Sequence, residues 1–161
     1  QPLSIVIYNK KLDTWTPGAH AGTFRGNQLA MKAGTVLLKK VSQPEFLKDV
    51  SKKGELIRTR LNELKNKVSI IGDIRGVGLM VGTEFVNPKG QRDLQGSLPA
   101  SGEIATKVQK MCFENYLVAE KGGRDGSVMR CLCALNISEE DVNKALDIFE
   151  KCVLEIDKEY K

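Results

Sequence analysis

The stretch SIIGDIRGVGLMVGTEFV, residues 69–86, decides the fold of this 161-residue chain. Val77, Leu79, Val81 and Thr83 fall on one side of an extended backbone there, and Gly78, Met80 and Gly82 on the other. Alternation with period two predicts strand, and small residues on one face suit a sheet that helices approach closely. Upstream, Leu47, Val50, Gly54, Ile57, Leu61, Leu64 and Val68 follow the spacing 3,4,3,4,3,4, the sharpest helical periodicity in the chain. Such a stripe is either the core face of an amphipathic helix or a coiled-coil seam, and its short length favours the core face.

Downstream, NPKGQRDLQGSLPASG is a polar loop that ends near Ser101, a cap for a helix over 102–115 with Ile104, Val108 and Met111 on its apolar side. YLVAEKGGRDGSVMRCLCALNI predicts two short strands around a Gly-rich turn. SEEDVNKALDIFEKCVLEIDKEY closes the sequence as a helix capped by Ser138, with acids in the first turn where the helix dipole favours them. Its buried stripe is Val142, Ala145, Phe149, Cys152, Ile156 and Tyr160.

Toward the N-terminus, Ser42 offers an N-cap for the Leu47–Val68 helix, with Pro44 in its first turn. A preceding helix over 24–41 aligns Leu29, Ala33, Val36, Leu37 and Leu38. Residues 3–7 are apolar and partly β-branched, which predicts a buried strand. A buried strand as first element suggests the interior of a longer protein, cut just upstream. There is no internal repeat. The element order predicts an α+β domain, one sheet covered by helices on one side.

Composition bounds the function classes. Hydrophobic residues make up 41% and charged residues 28%, as in ordinary globular proteins. No apolar run reaches the ~18 residues of a membrane span, and the first residues lack the pattern of a signal peptide. The net charge of +5 comes from lysines scattered among glutamates, and aromatics are only 6%. That leaves few platforms for stacking bases and argues against nucleic acid as a partner. Of four cysteines, only Cys131 and Cys133 are close in sequence, with no histidine nearby. This is poor zinc spacing, so no metal site is expected. The cysteines read as small reduced core residues in a cytoplasmic protein.

Two places invite chemistry. PGAHAGTFRGNQLAM, residues 17–31, is a Gly-rich turn leading into a helix. Exposed backbone N–H groups, the Thr23 hydroxyl and the helix dipole together suit a phosphate. On the other reading the glycines only shape a turn and Thr23 only caps the helix. It is not a Walker loop, since no Lys-Ser/Thr pair follows the glycines. His20, the only histidine, has no nucleophile placed with it and reads as structural rather than catalytic. The second place is Arg130 in SVMRCLCAL, amid apolar neighbours. Val128, Arg130 and Leu132 share a strand face, so the guanidinium needs an anion. A substrate carboxylate fits that need, as does solvent or an internal salt bridge on an edge strand. Arg124 in GGRDG is a weaker competitor, and Arg75 reads as structural.

Four stretches, PGAHAGTFRGNQLAMKAG, IRGVGLMVGTEF, GGRDGSVMR and ISEEDVNKALDIFEKCV, resemble in order the C-terminal part of the class III pyridoxal-phosphate aminotransferases. The resemblance spans essentially the whole chain. It implies a fold-type I enzyme, with residues 1–35 as the end of the cofactor-binding large domain and start of the linking helix. Residues 36–161 would be the small C-terminal α+β domain. It also implies pyridoxal 5′-phosphate as cofactor and a homodimer with shared active sites, acting on amino-acid and 2-oxo-acid substrates. The threonine of the family's T-x-x-G-N motif falls on Thr23, with Gly26 and Asn27 matching the rest, and binds the cofactor phosphate of the neighbouring subunit. The family's carboxylate-binding arginine falls on Arg130. His20 matches the motif without acquiring a catalytic role.

The sequence also departs from the family. Where the family has a large apolar residue, leucine and two prolines after the arginine, this chain has Cys131, Leu132, Cys133 and Ala134. The family's Schiff-base lysine falls a few residues before Gln1. No catalytic residue is therefore expected in the chain, which alone should be inactive. Within the family, the resemblance is to members that move the terminal amino group of 2,4-diaminobutyrate to 2-oxoglutarate. The alternatives are another ω-amine donor, 4-aminobutyrate or ornithine, or a non-catalytic module with the small-domain fold.

Overall fold

Gly78, at φ +62°, folds the 69–86 stretch back on itself, so it makes a hairpin rather than one continuous alternation. In the computed structural model, which describes residues 2–161, β1 is Ile71–Val77 and β2 is Met80–Phe85. They pair antiparallel with Val77 opposite Met80. A glycine at the first position of a two-residue hairpin turn accepts the positive φ that other residues resist. The reversal also corrects the face assigned to Val77, which is exposed, whereas Leu79, Val81 and Thr83 are buried as their alternation implies.

The chain divides into two compact units, Gln1–Leu47 and Lys48–Lys161. In the second, β3 (Glu120–Gly122) and β4 (Val128–Leu132) complete a four-stranded antiparallel sheet in the order β1-β2-β4-β3. One face of β2, with Val81, Thr83 and Phe85, is buried. Phe85 and Phe149 meet with ring centroids 6.4 Å apart. The other face carries Arg75, Gly82, Arg130 and Glu120, aligned strand by strand. This is the sheet-and-helix α+β architecture that the element order predicts, with apolar side chains segregated to one face.

Three helices belong wholly or mainly to this unit. The first, α2 (Pro44–Lys65), buries Val50, Gly54, Ile57, Leu61 and Leu64, while Leu47 at its start is exposed. Gly54 is on the stripe for a steric reason, because a Cβ there would collide with the carbonyl of Gly78. Next, α3 (Gly102–Glu114) starts where Ser101 Oγ accepts from Ile104 N at 3.3 Å, and it buries Ile104, Ala105, Val108 and Cys112. Last, α4 (Glu139–Asp157) is capped by Ser138, whose Oγ accepts from Asp141 N at 3.0 Å. Arg60 ties α2 to α4 through Glu150 at 2.9 Å and Asp147 at 2.7 Å. Among the described residues no helix is long and apolar enough to cross a membrane.

The cysteine expectation holds for one pair only. Cys112 and Cys152 are fully buried, and burial, with Cys152 beside it, pushes the Cys112 thiol up to about 12. Cys131 and Cys133 are half-buried, with their sulfurs 3.9 Å apart.

Asp157 ends α4 with a fully buried carboxylate. Its Oδ1 accepts from Ser69 N at 2.7 Å and Ser69 Oγ at 2.9 Å, and Lys161 Nζ lies 3.1 Å from Oδ2. Burial opposes the charge, but the two Ser69 bonds and Lys161 outweigh it and hold the carboxyl below its ordinary value. A carboxyl lowered in the folded state stabilises above the unfolded pKa of about 4 and loses that contribution as pH falls through the folded value. The midpoint of urea unfolding is therefore expected to fall below about pH 4, more steeply than in Asp157→Asn. Equal slopes would deny Asp157 this role.

The first unit departs furthest from expectation. Residues 3–7 form no strand, and Ile5, Val6 and Ile7 are exposed. A strand needs a partner for its N–H and C=O groups, and the first unit holds none among the described residues. Helix α1 is Gln28–Val41, shorter at its start than 24–41 because Asn27 is the cap, its Oδ1 accepting from Ala30 N at 2.9 Å. Only Ala30 and Gly34 of α1 are buried, Gly34 lying against Leu3. Leu29, Val36, Leu37 and Leu38 are exposed, because nothing else in their unit covers them. Ser42 is the C-cap of α1 rather than the N-cap of α2, with its hydroxyl donating to Leu38 O at 2.7 Å.

Candidate functional site

Arg130 sits in the middle of β4, opposite Gly82 of β2 and Glu120 of β3. Gly82 brings no side chain to the row, and Val128 Cγ1 lies 3.0 Å from where a Cβ there would stand. The Arg130 guanidinium reaches diagonally over Gly122, where an added Cβ would come within 2.8 Å of Nη2. Nη2 is ion-paired with Glu120. Nε is buried and has no hydrogen-bond partner, an unusual state for a charged donor, since buried polar groups are nearly always paired. Of the readings open for Arg130, the internal salt bridge is present, but β4 lies between β2 and β3 and is not an edge strand.

One strand beyond Gly82, Arg75 uses Nη1 to pair with Glu84 and, at 3.0 Å, with Asp73, and these bonds raise its pKa above the ordinary arginine value. Arg124 lies in an exposed turn (Arg124–Gly126) whose carbonyl accepts from Ser127 Oγ at 2.8 Å.

The chain after Arg130 keeps a defined path without the two prolines. Lys53 of α2, only 3% exposed, donates to the carbonyls of Leu135 at 3.2 Å and Ile137 at 2.8 Å while pairing with Asp49 at 2.6 Å. Sequence reasoning passed over Lys53 because the neighbouring Gly54 occupies the apolar stripe. The usable signal was the Asp49–Lys53 spacing of i,i+4 beside that glycine.

Thr23 belongs to the first unit, in a double turn closed by Arg25 N→Gly22 O at 3.1 Å and Asn27 N→Phe24 O at 3.3 Å. Gly26 takes φ +74° and Asn27 caps α1, so both have a local structural task. Thr23 has none. Among the described residues neither its hydroxyl nor its N–H is hydrogen-bonded, and it is exposed. The reading of Thr23 as the helix cap is thereby removed. His20 packs beside Trp15, ring centroids 5.6 Å apart, and Trp15 in turn meets Tyr8 edge-on at 5.4 Å.

Comparison with known proteins gives a consistent picture. The family model for class-III aminotransferases matches residues 2–153. A diaminobutyrate–2-oxoglutarate aminotransferase of Haemophilus influenzae is 38% identical over 96% of this chain and 34% of its own length. Its counterpart in Rhizobium meliloti is 43% identical over 89% of this chain and 30% of its own. The chain thus spans about a third of the length of these curated relatives. Among solved structures, an acetylornithine aminotransferase from Elizabethkingia anophelis superposes with a TM-score of 0.66 at 28% identity, covering 89% of this chain and 32% of that one.

Proposed function

The chain belongs to the class III aminotransferases, and from that membership we propose that it is the C-terminal part of an enzyme moving the terminal amino group of 2,4-diaminobutyrate to 2-oxoglutarate. The names of the two relatives support this donor and acceptor. Residues 1–35 would end the large domain and 36–161 form the small one. The active sites would be shared across a cytoplasmic homodimer, with the Schiff-base lysine upstream of Gln1. Pyridoxal 5′-phosphate, the family's cofactor, supplies when bound an electron sink that lets a proton leave the carbon bearing the amine.

The observation that carries the reading is the buried Nε of Arg130, unpartnered among the described residues. A carboxylate that displaces Glu120 would accept from Nη2 and, as the side chain shifts, from Nε, the fork geometry that arginine offers planar anions. The α-carboxylate of 2-oxoglutarate, one bond from the carbon that receives the amine, would use this guanidinium, whereas the donor reacts at a carbon three bonds from its own carboxylate. Thr23 suits the cofactor phosphate for a parallel reason: its hydroxyl and N–H are unspent, beside a helix start whose dipole favours an anion.

The full-length protein mixed with cofactor, 2,4-diaminobutyrate and 2-oxoglutarate is expected to produce glutamate. Faster glutamate formation with 4-aminobutyrate or ornithine would reassign the donor, and none with any amine would leave the non-catalytic module. In the same protein Thr23→Ala is expected to weaken cofactor binding about 5- to 150-fold, corresponding to ~1–3 kcal/mol for one hydrogen bond to a charged group. Equilibrium dialysis of the cofactor reads this, and unchanged affinity would remove Thr23 from the site.

A further inference from the structure

Beside β4 the second unit forms a partly open cavity of about 400 Å³. Ile57, Leu61, Leu146 and Phe149 form much of its wall, and Cys131 and Cys133 both line it. Its only charged lining residues are Arg130 and Glu120, which neutralise each other. An apolar cavity of roughly 150 Å³ already holds benzene, so this one has ample room for an aromatic ring.

The two thiols are 3.9 Å apart and half-buried, within reach from the cavity. Two positions along an extended chain separate Cα atoms by about 6.6 Å, close to the upper limit of roughly 6.8 Å for a disulfide. A direct S–S bond would sit at the long end of that range, whereas one atom bridging the two sulfurs shortens the span that each bond covers. Burial, reinforced by Cys133, pushes the Cys131 thiol up to about 12. A pair of free thiolates is accordingly costly in this apolar wall, and a bridging group must leave the whole adduct neutral.

We propose that Cys131 and Cys133 form a dithiol site for trivalent organoarsenicals, with the organic substituent seated in the cavity. In the reaction each thiol passes its proton to the oxygen of an arsine oxide, R–As=O, which leaves as water. Two As–S bonds replace the arsenic–oxygen bonds, and arsenic stays trivalent. No oxidant or reductant is needed, and the product carries no net charge. Cys112 and Cys152, fully buried between α3 and α4, serve as the internal control. The arsenic chemistry uses neither cofactor nor substrate, so its test stands apart from the aminotransferase reading, although Arg130 lines the same cavity.

Phenylarsine oxide added to the native chain tests this by intact-mass spectrometry. The expected result is one adduct, heavier by one phenylarsine oxide less one water. It should be reversed by 2,3-dimercaptopropanol, resist a monothiol, and be lost in Cys131→Ser and in Cys133→Ser. Tryptic cleavage after Arg130 should place the adduct on the peptide that contains both cysteines, a readout that needs no variant. Methylarsine oxide, which leaves the cavity unfilled, should bind at least about tenfold more weakly, ~1.4 kcal/mol. No adduct on the native chain, or one on the peptides of Cys112 or Cys152, would overturn the site. Equal affinity for the methyl and phenyl compounds would overturn the role of the cavity.

Discussion

Replacing Arg130 by alanine in the full-length enzyme is expected to lower kcat/KM by about 10²–10³-fold for 2-oxoglutarate, and by less for the amino donor. Hydrogen bonds to charged groups contribute ~1.5–3 kcal/mol each, and a forked guanidinium makes two of them. Losing ~3–4 kcal/mol at ~1.4 kcal/mol per decade gives that range. The unequal effect is the diagnostic part, since 2-oxoglutarate reacts beside its α-carboxylate while the donor reacts at its terminal carbon. Arg130→Lys should recover only part of the loss, because an ammonium supplies charge without the planar fork. Steady-state kinetics in both half-reactions, with a thermal melt to confirm folding, reads the result. If kcat/KM stays within about threefold for both substrates, Arg130 serves only its pairing with Glu120.

Lys53→Met should destabilise the second unit by about 2–4 kcal/mol. Methionine fills nearly the same space, so the loss isolates the ammonium and its bonds to the carbonyls of Leu135 and Ile137. Those carbonyls would be left without their donor. Asp49, the ionic partner, is half exposed and regains water, so its share of the loss is small. Urea unfolding of the chain measures the change. A shift under about 0.5 kcal/mol, the range of an ordinary surface substitution, would show that the segment after β4 holds its path without Lys53.

What was legible in the sequence is what neighbours along the chain decide. The stripe from Val50 to Leu64, the Ser101 and Ser138 caps and the turn between β3 and β4 all depend on contacts a few residues apart, and each is found where its pattern places it. The failures lie where burial depends on distant partners. Residues 3–7 have strand composition without a strand beside them, and the apolar side of α1 has no cover in its own unit. At the candidate site, local context and the family motifs singled out Arg130, alone in an apolar strand, and Thr23, in a Gly-rich helix entry. The Glu120 partner came from the β3–β4 register, and the anchoring of the following segment by Lys53 came from an approach over 80 residues away in sequence. No local pattern encodes either.

The exposed residues 3–7 have a consequence for handling the protein. LSIVIY, residues 3–8, is uncharged, contains no proline or glycine and is rich in β-branched side chains, the composition of segments that stack into cross-β fibrils. Among the described residues its backbone is unpaired, the state in which such a segment is able to template a matching one of another molecule. Pairing or covering this hexapeptide removes that template.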